Sequence, residues 1–216
     1  MTDRGDTGRT RRTRAATVRA GTRSLVSAGG RVARDAGNWS DPYHGPMRYA
    51  ALLRGVNVGG RTMAMADLAS CFTALGFEAV STVLQSGNVV FEGPADPVAV
   101  AARVEAGLKA SFSFPVRCQI VESPRLSRVV AAYPFDDVAS MHRYVVFFEG
   151  GLESQIAAAL ELDPRTERVA LGEAVLYWQV QKGATTSSAV AAQLTRSRFK
   201  EFHTNRNLRT LKKMLG

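Results

Sequence analysis

The sequence predicts an α+β fold of two small βαββαβ units packed together, preceded by a disordered basic tail. From Met47 onward, short apolar runs alternate with apolar positions at helical spacing, and that order of elements occurs twice. The first 46 residues show neither pattern. Composition agrees: of 216 residues, 45% are apolar and 22% charged, which excludes a fibrous or wholly disordered chain. No apolar run exceeds five residues, whereas a membrane-spanning helix needs about 18 or more.

Tyr49 to Leu53 is a continuous apolar run, read as a buried strand, and a Gly-rich loop from Arg54 to Arg61 follows it. Leu68, Cys71, Phe72 and Leu75 fall at i, i+3, i+4 and i+7, one face of a helix closed by Gly76. Ala79 to Leu84 and Val89 to Glu92 are strand-like runs around Gln85-Ser86-Gly87-Asn88, a turn suited to a hairpin. Asp96 as N-cap and Pro97 at the first helical position open a second helix. Val116 to Val121 closes the unit as a strand.

Ser123-Pro124 starts a connector helix that ends near Tyr133-Pro134-Phe135. Tyr144 to Phe148 is the next apolar strand, and Leu152, Ile156, Ala159 and Leu160 define the helix after it. Val169 to Leu171 and Val175 to Val180 flank Gly172-Glu173, a hairpin loop of the Gly-X kind. Val190 and Leu194 mark a short helix, Phe199 to His203 a short strand, and Leu208, Leu211 and Leu215 the last helix. A βαββαβ unit of this size is the ferredoxin-like α/β plait. The expected organisation is therefore a tail over 1–46, a first unit over 47–122, and a connector, second unit and C-terminal helix over 123–216.

The formal net charge of +9 is unevenly spread. Residues 1–46 hold nine Arg and four Asp, +5, whereas residues 47–216 hold 19 basic and 15 acidic side chains, +4. The tail cannot bury enough apolar surface to offset its ordering entropy; it reads as an over-long gene start or an inert extension, with Met47 as the expected natural start. Cys71 and Cys118 read as reduced, buried residues of a cytoplasmic protein, and no Cys or His cluster has metal-ligand spacing.

In a plait the first and second strands run the same way, so the loop after one and the turn after the other emerge together. That convergence gathers Arg54, Asn57, Gly59, Gly60, Gln85, Ser86 and Asn88, donors that suit a small anionic or nucleotide-like ligand. The same residues also read as turn formers and loop ties. Gly55 to Thr62 comes within one residue of a phosphate-cradling P-loop, with Arg61 in the Lys position, but the strands that follow read as a hairpin. Arg196 to Lys213 is cationic, which leaves an RNA- or DNA-contacting protein as an alternative and a phosphate-handling enzyme as a further one. No catalytic constellation, cofactor motif or membrane segment emerges.

Two stretches carry a family resemblance: Tyr49 through Arg54 and Asn57 to Gly59-Gly60, and Gln85-Ser86-Gly87-Asn88-Val89-Val90-Phe91. With Tyr133-Pro134-Phe135, they resemble the bacterial domain-of-unknown-function family 1697. A further signature, Thr-x-Arg-Asn-Trp-x-Thr in the family, is echoed by Thr204, Arg206, Asn207 and Thr210, with Leu208 where the family has Trp. The resemblance spans Met47 to Gly216. It implies two ferredoxin-like halves, a cytoplasmic bacterial protein and no assigned activity.

Overall fold

The first strand, β1 (Met47–Arg54), is apolar on both faces, and Tyr49 through Leu53 are all buried at 1% exposure or less. A strand buried on both sides needs a layer above and a layer below, and the rest of the chain supplies them. The structure is a computed structural model that describes residues 45–56, 62–114, 116–196 and 199–216. The expected tail, apart from Gly45 and Pro46, lies outside the described residues.

After β1 come α1 (Met65–Ala74), β2 (Glu78–Thr82), β3 (Asn88–Gly93), α2 (Pro97–Ser111), β4 (Arg117–Glu122) and α3 (Ser123–Ala131). Asp96 caps α2, its Oδ1 accepting from the backbone N–H groups of Val98 and Ala99 at 3.0 Å. The second half repeats the series with β5 (Met141–Phe148), α4 (Glu153–Ala158), β6 (Glu167–Gly172), β7 (Val175–Gln181), α5 (Ala189–Leu194), β8 (His203–Asn207) and α6 (Leu208–Leu215). The described residues thus form a mixed α+β fold with two four-stranded antiparallel sheets and six helices. The strand orders are β2-β3-β1-β4 and β6-β7-β5-β8, the same arrangement twice.

Alternation along the strands divides the apolar residues into three layers of core. Tyr49, Ala51, Leu53, Val89 and Phe91 face Leu68 and Phe72 of α1 and Val100 and Val104 of α2. Val146, Phe148, Leu176, Trp178 and Val180 face Ile156 of α4 and Val190 and Leu194 of α5. The opposite faces of both sheets meet in a central cluster that joins Ala50, Leu52, Val90 and Val121 to Val145, Phe147, Val175 and Tyr177. Leu126 and Val129 of α3 and Leu208, Leu211 and Met214 of α6 complete that cluster. The helix expected as a connector is therefore a core element. All described residues belong to one compact unit, Ala36–Gly216, and among them no helix is long and apolar enough to cross a membrane.

Three local expectations change. The strand expected over Phe199 to His203 is β8, His203–Asn207, paired with β5 from Phe148↔His203 to Tyr144↔Asn207. Phe199 is instead in a turn, its ring buried in the α4/α5 cluster. The β6–β7 turn residues are Glu173 and Ala174, with Gly172 paired to Val175 and the positive φ, +53°, on Ala174. Gly172 serves close approach, because a Cβ there would lie 2.7 Å from Tyr177 and from Val175. The β2–β3 connection begins at Val83 and carries positive φ at Leu84 (+60°) as well as Gly87 (+68°). Leucine pays a steric penalty in that region.

Candidate functional site

The site starts where β1 ends. Gly87 can bring the β2–β3 hairpin against this strand because it has no side chain: a Cβ would sit 2.5 Å from Val56 and 3.0 Å from Leu53. The backbone N–H of Leu53 donates to the Gly87 carbonyl at 2.8 Å and fixes the approach. From the second half, β8 runs past the same corner and delivers His203, Thr204, Asn205 and Arg206. Together these segments form a half-open cavity of about 400 Å³ lined by Arg54, Gln85, Ser86 and those four residues, with Leu53, Gly55 and Val56 completing the wall. No carboxylate lines it among the described residues.

Arg206 is the keystone of the corner. Its Nε donates to Asn88 Oδ1 at 2.6 Å, its Nη1 to Thr204 Oγ1 at 2.9 Å and to the Asn205 carbonyl at 2.8 Å, and its Nη2 to the Leu53 carbonyl. Every one of these acceptors is neutral. Burial pulls the Arg206 pKa down to about 10, with Cys118 opposing the shift, so the group stays cationic at neutral pH without a counter-charge. Asn88 in turn donates from Nδ2 to the Val83 carbonyl at 2.9 Å and to Ser86 Oγ at 2.8 Å. Ser86 accepts there and keeps its own hydroxyl proton to donate.

Arg54 differs. Its Nη1 is buried and has no hydrogen-bond partner. Burial chiefly lowers its pKa, as does Arg117, while Glu201 and Glu149 act in the opposite direction. Asn205 Oδ1 on the same wall is likewise buried and unpartnered. An unmet buried polar group costs about 1–3 kcal/mol, so the corner holds one idle donor and one idle acceptor, both shielded from solvent. His203 Nδ1 lies 3.0 Å from the Phe199 carbonyl, which assigns the proton to Nδ1 and leaves Nε2 with its lone pair. Burial holds the His203 pKa below the ordinary histidine value, the bond to Phe199 opposes this, and the Arg54 charge adds to the lowering.

Of the residues singled out from sequence, Arg54, Gln85, Ser86, Thr204 and Arg206 line one cavity. Asn88 is fully buried beneath it with its amide committed to Arg206, Val83 and Ser86, so it shapes the turn and has no donor left for a ligand. Asn207 turns away and accepts from the Arg209 N–H as the cap of α6. Asn57, Gly59 and Gly60 lie outside the described residues. His203 and Asn205 were missed because β8 has no apolar alternation; the only signal was the proximity of both to the Thr204–Asn207 signature.

The parallel sheet of a P-loop enzyme is not formed: β1 is antiparallel to both its neighbours, and α1 begins only at Met65. Cys71 is buried as expected, against Ser111 Oγ, whereas Cys118 is only half-buried because β4 is an edge strand; burial pushes its thiol up to about 12, which disfavours the thiolate. Among the described residues no group of three or more His, Cys, Asp or Glu side chains could hold a metal ion.

Residues 47–177 match a family described as "Protein of unknown function (DUF1697)". A solved structure of the conserved bacterial protein SP0830 from Streptococcus pneumoniae is 26% identical, over 79% of this chain and 97% of that one, with a TM-score of 0.66. A protein of Galdieria sulphuraria aligns over 76% of this chain and 98% of its own at 8% identity and a TM-score of 0.26, too distant to carry an argument. No curated protein is significantly similar to the chain.

Proposed function

We propose, from the premise that the chain belongs to the DUF1697 family of proteins of unknown function, that it binds a small anionic or nucleotide-like ligand in the cavity between β1, the β2–β3 hairpin and β8. The observation that carries this reading is the Arg54 guanidinium, whose buried Nη1 lacks a partner in a cavity with a second guanidinium and no lining carboxylate. Arg206 supplies fixed positive potential, Arg54 the open donor fork, and Ser86 a hydroxyl donor. A volume of about 400 Å³ falls within the usual range of about 300–1,000 Å³ for small-molecule sites. Base stacking on the first sheet has less support, because Tyr49 and Phe91 are fully buried beneath α1 and α2.

The same reading takes each half as a ferredoxin-like plait, 47–122 and 123–216, in a cytoplasmic protein; the repeated strand order supports the plait. Thermal denaturation of the full chain against inorganic phosphate, carboxylates and nucleoside monophosphates tests the binding. A ligand at about a hundred times its Kd adds about 2.7 kcal/mol, a rise in Tm of about 5–10 °C for a protein of this size. Arg54→Ala should abolish the rise. If no anion raises Tm, or if Arg54→Ala responds like the parent, the reading fails.

A further inference from the structure

We infer that a second groove, on the other side of the β2–β3 hairpin, binds the oligophosphate of a small phosphorylated ligand. Leu84 borders this groove and its chain neighbour Gln85 borders the Arg54 cavity. The groove measures about 630 Å³ and is built where β5 begins, β7 ends and β8 turns into α6. Four cationic side chains line it, Arg143, Lys182, Arg209 and Lys213, against one carboxylate, Asp137. Arg143 is paired with Asp137. The other three have no ion pair among the described residues.

Like charges repel at this range, and α6 places Arg209 and Lys213 four residues apart on one face with no acidic residue in its first turn to offset them. Three cations without an ion pair among the described residues, from the end of β7 and from α6, give the concavity a net positive charge that an anionic ligand would offset. A phosphate monoester supplies only about −2, less than the groove's excess, whereas two or three linked phosphates match it. Leu84, 49% exposed, and Met141 give the non-phosphate part of the ligand an apolar ledge. Single-stranded nucleic acid is the poorer fit, because strand binding relies on aromatic platforms for the bases and the only ring lining this groove is His142.

The test is calorimetric titration of the full chain with inorganic tripolyphosphate, so that the Arg-rich first 46 residues contribute equally to every variant. Lys182→Ala and Lys213→Ala, both exposed, should each weaken binding about tenfold, as expected for loss of one charge-assisted contact. Lys109→Ala on α2 should bind like the parent, and the losses in Lys182→Ala and Lys213→Ala should be the same on an Arg54→Ala background, which separates this groove from the Arg54 cavity. Absence of binding overturns the proposal. So does an equal loss in Lys109→Ala, which would mean diffuse attraction, and so does a single-stranded oligonucleotide that displaces tripolyphosphate at lower concentration than a nucleoside triphosphate does.

Discussion

The two halves of the chain follow one plan, and the site lies where they depart from it. Tyr49 of β1 faces Phe91 across the sheet as Tyr144 of β5 faces Trp178. Glu122 and Asn207 occupy the same register position beside those tyrosines, and each is the residue before a core helix. Four and seven residues further on come Leu126 and Val129 in α3, and Leu211 and Met214 in α6, all in the central cluster. Against that agreement, two equivalent positions diverge. Val121 pairs with Ala50 in the first half where Arg206 pairs with Val145 in the second. Five residues after each tyrosine stand Arg54 and Glu149. A position built for a buried valine holds a guanidinium in the second half, and its acceptors, Leu53 and Asn88, come from the first. The repeat supplies the fold and its breaking supplies the cavity.

The comparison can be broken most forcefully in the shared core. Leu126→Ala and Leu211→Ala remove equivalent, fully buried side chains, and each should cost about 2–5 kcal/mol. Urea denaturation should show one cooperative transition for either variant; two separated transitions would mean that the halves are independent. Next in size is Arg206→Val, which restores the first half's residue. It leaves the Leu53 carbonyl and Asn88 Oδ1 without their donor, at about 2–3 kcal/mol by the same measurement. Arg54→Ala should not lower stability, since it removes an unmet buried donor, while it removes the response to inorganic phosphate, the reverse of Arg206→Val in which kind of property is lost.

The smallest effect is in pH. The His203 pKa is held below its ordinary 6.5. As pH falls through that value the unfolded chain takes up a proton that the folded chain refuses, and stability drops until pH passes below the folded pKa. His203→Asn should flatten that part of the stability profile. A profile unchanged by the substitution would place the acid sensitivity elsewhere.

The helices and the buried strands were legible because their apolar residues repeat at 3.6 or run without interruption, as in Tyr49 to Leu53. β8 was not, since Thr204-Asn205-Arg206-Asn207 is wholly polar and becomes a strand only through its ladder to β5. α3 reads as a connector when only its neighbours are considered; its partner, α6, lies more than seventy residues away in sequence. Arg54, Gln85 and Ser86 could be brought together from strand direction alone. The part played by Arg206 could not, because its acceptors at Leu53 and Asn88 are 153 and 118 residues distant. The groove's cations come from β5, the end of β7 and α6, and no single window of sequence contains them all.

The central layer also bears on how the chain could be divided. Val138, Ala139 and Ser140 are exposed between α3 and β5, so a cut there would sever no layer of core. Each fragment would keep its own sheet and outer helices but carry one bare apolar sheet face and one unpartnered helix. Those surfaces are complementary to each other, and two separately made fragments should reassemble by burying them. The molecule is in this sense a dimer written into one polypeptide, with Arg206 as the residue that tells its two members apart.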